Sequence, residues 1–188
     1  MPIVSSFAGA SARAYGLQTS SIPQGALTLI TSKSFSSVAS VSVDNCFSND
    51  YVQYRIIVDS SIASTNEIQF RLRVGGVDNS STNYQYSLLY GDGTTVGGLR
   101  QTSQNRWIYA NSMSTTKGMA LFEILNPFQT AYTSAISFAP SAATGGLIEN
   151  YFLGQGFTAT TSFDGFTLIG LSANITGDVY VYGYKVSA

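Results

Sequence analysis

The sequence predicts an all-β chain: a jelly-roll-like antiparallel β-sandwich preceded by an extended N-terminal arm. Three observations carry that expectation. From residue 27 onward, short β-branched and aromatic runs alternate with clusters of Gly, Asn, Asp and Ser. The clearest of these runs keeps a strict two-residue period, and no window offers the apolar spacing of an amphipathic helix. With 188 residues, 44% of them hydrophobic, there is apolar material for one core, and a single domain over residues 27–188 is expected.

Residues 1–26 are rich in Ala, Gly and Ser, contain Pro2 and Pro23, and scatter apolar side chains without a sustained period. Such a stretch is expected to be an arm that buries its anchors on a neighbouring subunit. Ile3, Val4, Phe7, Arg13, Tyr15 and Leu17 are its candidate contacts. The opening residues lack the basic and apolar regions of a secretory signal, and no stretch approaches the roughly 18 apolar residues of a membrane span. Synthesis in a cytosol-like compartment is therefore expected.

Candidate strands follow at 27–33 and 37–43, then at Tyr51–Val58 and Glu67–Val74. In the last of these Ile68, Phe70, Leu72 and Val74 share one face, and Gln69, Arg71 and Arg73 the other. A Ser/Thr/Asn turn separates these two runs, so they are expected to pair as antiparallel neighbours. Further candidates are 84–90, 106–110, 118–125, 132–138, 148–157, 166–172 and 178–186. The final run places Tyr180, Tyr182 and Tyr184 on one face and Val179 and Val181 on the other, which suits a position between layers or at a subunit contact. Gly183 is expected to mark a bulge or the close approach of another backbone. Eleven short strands fit a two-sheet jelly roll better than a seven-strand immunoglobulin sandwich.

Composition narrows the chemistry. Nine basic against ten acidic residues give a net charge of -1, so neither nucleic acid nor membrane is an expected partner. The absence of histidine removes imidazole triads and most zinc and copper sites, and a lone Cys46 excludes an intrachain disulfide or a thiolate cage. No cofactor and no metal are expected. Glu67, Glu123 and Glu149 stand apart along the chain, each in or beside a strand where a single carboxylate most often faces water, so no enzymatic activity is expected. Asp44-Asn45, Asp78-Asn79, Asp92 and Asp164 fit turns better than calcium ligands. Gly91-Asp92-Gly93 and Gly97-Gly98 lack the Lys-Ser/Thr of a phosphate cradle and predict a hairpin with glycine at positive φ. Asn79-Ser80-Ser81 and Asn174-Ile175-Thr176 match glycosylation acceptors at a level chance explains in so Ser- and Thr-rich a chain.

Only 10% of residues are charged, which suits a surface that ends up against copies of itself or other subunits. Arg71, Arg73, Arg100 and Arg106, with Trp107 and the tyrosines, are the candidate surface for such contacts. Interface use comes first, glycan binding second, and strand packing remains a comparable alternative.

Four stretches carry a resemblance. They are Ala10-Ser11-Ala12-Arg13-Ala14-Tyr15-Gly16; Asp44-Asn45-Cys46-Phe47-Ser48-Asn49-Asp50-Tyr51-Val52-Gln53-Tyr54-Arg55-Ile56; Phe70-Arg71-Leu72-Arg73-Val74-Gly75-Gly76 followed by Asn83-Tyr84-Gln85-Tyr86; and Tyr182-Gly183-Tyr184. In their order the chain resembles virion structural proteins of tailed bacteriophages, especially those of marine cyanophages. The resemblance implies a jelly-roll-like domain without enzymatic role, exposed on a particle assembled in the host cytoplasm. Its implied partners are other virion proteins and further copies of itself. Two jobs follow: a head decoration or cement subunit, or a tail fibre, tailspike, collar or baseplate component touching host glycan. The chain has no shaft, coiled coil or β-helical repeat, which favours the head position. A free carbohydrate-binding module and a hydrolase acting through a glutamate are the alternatives outside the particle.

Overall fold

The computed structural model describes residues 27–64, 66–92, 94–111, 115, 117–142 and 148–185. The arm contacts expected at Ile3, Val4, Phe7, Arg13, Tyr15 and Leu17 lie outside these residues. The strands are β1 (Leu27–Val38), β2 (Ser40–Val43), β3 (Gln53–Ile62), β4 (Ile68–Val74), β5 (Val77–Asp78), β6 (Tyr84–Asp92), β7 (Thr95–Gln104), β8 (Trp107–Asn111), β9 (Gly118–Leu125), β10 (Thr133–Ala142), β11 (Ile148–Phe157), β12 (Gly165–Gly170) and β13 (Ile175–Tyr184).

They form an antiparallel β-sandwich. One sheet has eight strands in the order β1-β13-β3-β9-β10-β11-β6-β7; the other runs β2-β12-β4-β5, with β8 also pairing β4. The chain rolls up from both ends. β13 inserts between β1 and β3 in the large sheet while β12 inserts between β2 and β4 in the small one, so each terminal strand completes a pair opened early in the sequence. β1 passes into β2 at Ser37–Ala39, where Ser37 has a φ of 52° and the Ala39 carbonyl accepts a hydrogen bond from the Gly170 amide at 2.9 Å.

The core between the sheets is aromatic. Phe70 sits at its centre, within 4.7 Å of Phe166, 5.0 Å of Phe122 and 5.6 Å of Trp107, ring to ring. Tyr84 extends the cluster to Phe157, and Phe157 to Phe163. Burying rings of this size contributes more per residue than any other packing in the molecule. Cys46 is buried beside them, and burial pushes its thiol well above the ordinary range.

The expected strands are present, with three corrections. β3 and β4 do not pair: β3 lies between β13 and β9, and β4 belongs to the opposite sheet. Both carry a strong apolar face, and the two faces meet across the core rather than lying edge to edge, with Ile56 and Val58 on one side and Phe70 and Leu72 on the other fully buried. Gly183 neither bulges its strand nor admits a backbone. β13 runs in unbroken register with β3, and the space over Gly183 is filled by the Tyr51 ring. The 91–98 glycines do lie at a β6–β7 hairpin, yet Gly91, Gly97 and Gly98 are not at positive φ, and Gly97 and Gly98 belong to β7, a ten-residue strand without an apolar alternation to announce it.

Candidate functional site

The sandwich has two outer faces, and they are chemically unlike. On the small sheet the outward residues bond to one another. The Arg73 guanidinium donates to Asp44 Oδ1 at 2.7 Å and to Thr167 Oγ1 at 2.7 Å, and also reaches the Asp78 carboxylate and the Gly76 carbonyl. Its side chain is only 12% exposed. Arg71 Nε donates to the Asn105 carbonyl and Gln69 Nε2 to Glu67 Oε1, and Lys33, on the edge strand β1 of the large sheet, donates from Nζ to the Ser42 carbonyl of the small one. Burial holds the Glu67 carboxyl above its usual range. This face consumes its own polar groups.

The large sheet turns apolar side chains outward. Register places Tyr180, Ile57, Leu121, Phe138, Phe152 and Leu89 side by side on six successive strands, β13, β3, β9, β10, β11 and β6. At a strand spacing near 4.8 Å this row is about 24 Å long. Phe152 is 55% exposed and Leu89 63%, and Ile136, one row away, is 65% exposed. The Phe138 and Phe152 rings lie 4.6 Å apart. A contiguous apolar row of this kind on an outer face marks a contact surface.

Strand β10 shows why these residues face out. Its inward positions are Ala135, Ser137 and Ala139, all small, and β8 comes close to β10 on that side. The larger Ile136 and Phe138 take the other side of the pleat.

Beside the row, β11 is bare. Gly154 and Gly156 follow Phe152 on the same face, and two hollows meet over them. One, about 490 Å³, is lined by Leu89, Leu121, Ile136, Phe138 and Phe152; the other, about 250 Å³, by Gln85, Ser87, Arg100 and Tyr132. Together they form a trough, apolar at one end and polar at the other, with Ser87 and Gly154 common to both. The two glycines do different things. The space a Cβ would take at Gly156 is held by the Tyr132 hydroxyl, which accepts a hydrogen bond from Gln85 Nε2 at 3.1 Å, whereas over Gly154 nothing lies within 4 Å. Glu123 also lines the larger hollow, at its far end from Arg100, and accepts from Arg55 Nε at 2.6 Å, from Tyr184 Oη at 2.9 Å and from Gln53 Nε2 at 3.2 Å. Its charge is matched by Arg55, whose guanidinium also stands 5.6 Å from the Tyr184 ring centre.

The five residues expected to form a surface are dispersed. Trp107 is fully buried, which corrects its placement on a contact surface. The indole packs on Phe70 and Tyr84, and its Nε1 donates to the Gly156 carbonyl at 3.1 Å. It thereby holds the trough floor from beneath. Arg71 and Arg73 lie on the small sheet's outer face, and Arg106 is half-buried near Glu67. Arg100 alone of the five lies on the large sheet's outer face, exposed, opposite Ser87, and unpaired among the described residues. Sequence reasoning missed Leu89, Ile136, Phe138 and Phe152.

The glutamates do not stand free in water as expected. Glu123 is in the network above, Glu149 is buried and accepts from the Tyr151 hydroxyl at 2.8 Å, and Glu67 is half-buried. The turn reading of Asn79 holds: its Oδ1 accepts from the Ser81 amide at 3.0 Å. Among the described residues no three His, Cys, Asp or Glu side chains are grouped to hold a metal, and no helix is long and apolar enough to cross a membrane.

No family model and no curated protein matches the chain. Among solved structures, the galectin LEC-6 of Caenorhabditis elegans is similar over 86% of this chain and 99% of its own, at 10% identity and a TM-score of 0.32. The CBM2 module of the evolved Dit of Lactobacillus casei BL23 phage J-1 is similar over 79% of this chain and 70% of its own, at 10% identity and a TM-score of 0.27.

Proposed function

We propose that this chain is a non-enzymatic structural subunit of a tailed-phage particle, and that it works by binding through the outer face of its eight-stranded sheet. Residues 1–26 tether it to a neighbouring virion protein. The observation that carries the reading is the apolar row from Tyr180 to Leu89, set beside an open trough on a molecule whose other face is closed by its own hydrogen bonds. The phage setting rests on the four stretches that resemble virion proteins. Copies of the chain would meet at the edge strands of the large sheet, β1 and β7.

Of the two jobs, the trough favours the tail fibre, tailspike, collar or baseplate component. A trough with aromatic and hydrogen-bonding banks is useful where it stays open to host glycan. Head decoration or cement is the second reading, favoured by the apolar row, which a neighbouring capsid subunit would cover. A cysteine introduced by Ser87→Cys separates them, because Cys46 is buried and gives little background. Intact particles carrying the variant are treated with a maleimide and imaged. A labelled thiol on density at the tail supports the favoured job, and a protected thiol on the shell lattice supports cement. A chain absent from infectious particles overturns both.

A further inference from the structure

We propose that the trough over Gly154 is a saccharide subsite that selects sugars bearing a carboxylate. It rests on the reading above only in taking the large sheet's outer face as the binding face. The floor is main chain without side chains, and the space over Gly154 is empty to 4 Å. Phe152, two residues before it, offers a half-exposed ring to the C–H face of a sugar. Gln85 and Ser87 stand along the polar bank with neutral donors and acceptors for hydroxyl groups. Arg100, opposite Ser87, is the unpaired guanidinium of this bank, and its planar fork matches a carboxylate.

The same geometry argues against other occupants. An extended peptide binds a sheet through free main-chain groups, and those of β11 are paired on both sides, Gly154 with Ile136 on β10 and with Ser87 on β6. An acyl chain needs an apolar enclosure, and this trough is open and turns polar halfway along its length. A sugar ring has what the trough asks for: one apolar face, a rim of hydroxyls and, in acidic sugars, one anion.

The test uses the purified full chain, so that the result does not depend on where the protein sits in a particle. Isotope-labelled protein is titrated with carboxylated oligosaccharides (oligogalacturonate, oligomannuronate, sialyllactose), with neutral oligosaccharides of matched length, and with an acidic amphipathic peptide, while amide shifts are followed by NMR. Shifts centred on residues 85–89, 98–101 and 152–156 are expected with acidic sugars, at an affinity about tenfold above that of the neutral ones. Arg100→Gln removes the preference, bringing the acidic sugars down to the affinity of the neutral ones. Gly154→Val covers a floor over which a Cβ meets nothing within 4 Å, so it abolishes binding of both sugar classes; a melting temperature within a few degrees of native shows that the fold is kept. Failure of all the sugars to shift the trough residues overturns the proposal. Equal affinity for acidic and neutral sugars, an Arg100→Gln variant that keeps the preference, or tighter binding of the peptide overturns it as well.

Discussion

The two outer faces of the sandwich are built from the same backbone and use their side chains in opposite ways. On the small sheet each described cation has a partner: Arg73 is clamped by Asp44, Asp78 and Thr167, and Arg71 is tied to a carbonyl. On the large sheet Phe152, Leu89 and Ile136 project into solvent and Arg100 has no partner among the described residues. Burial and pairing on the first face stabilise the fold, whereas the second leaves apolar area and one cation available to something else. Among the described residues the other outward charges of the large sheet are paired, Arg55 with Glu123 and Lys117 with Asp59 and Asp178, so Arg100 and the uncharged apolar row are what this face leaves open.

Substitutions on the two faces should separate stability from binding. The largest effect is expected at the residue that joins the sheets: Trp107→Ala removes a fully buried ring and the donor to the Gly156 carbonyl, and should cost about 3–5 kcal/mol in denaturant unfolding. Arg73→Ala should cost about 2 kcal/mol because it strands the partly buried Asp78 carboxylate and removes the donor to the buried Thr167 hydroxyl, while Arg100→Ala should stay within about 0.5 kcal/mol. Equal losses at the two arginines would break the contrast between the faces. Within the trough, Gly156→Ala must push aside the exposed Tyr132 ring and its bond from Gln85 and should cost up to about 1 kcal/mol, whereas Gly154→Ala has open space and should stay within about 0.5 kcal/mol, as thermal melts would show.

The smallest effect concerns Glu67. Its folded-state pKa is raised, chiefly by burial, so the ionised carboxylate opposes folding at pH values above that pKa, and the penalty vanishes as pH falls below the ordinary glutamate range. Glu67→Gln should therefore be more stable than the native chain near pH 8 and lose that advantage near pH 4. An advantage independent of pH would show that desolvation is not the cause.

The β-sandwich was legible because alternation survives wherever one strand face is buried: Ile68, Phe70 and Leu72 are all in the core, as their spacing implies. Pairing was less legible. The run from Tyr51 and the run from Glu67 carry equally strong apolar faces, and period alone does not tell edge-to-edge neighbours from strands that face each other across a core. β7 escaped notice because an edge strand exposed on both sides needs no apolar alternation. The site was partly encoded. β13 was recognised as apolar on both faces, and the same signal stands in Leu121-Phe122 of β9 and Phe152-Leu153 of β11. In β10 size points the wrong way, since Phe138 faces out and Ala139 in. The close approach of β8 to β10 accompanies that inversion, and a neighbour brought by the tertiary fold leaves no local trace in the strand.

The claim that the large sheet carries the function is tested most directly by placing one charge on each face and reading the particle. Leu89→Asp lies in the apolar row and Ser40→Asp is exposed on the outer face of the small sheet. With both variants shown to melt like the native chain, particle incorporation and adsorption to host cells are measured for each. The account predicts that Leu89→Asp loses one of these by an order of magnitude while Ser40→Asp keeps both. Loss confined to Ser40→Asp, or two variants indistinguishable from native, would contradict it.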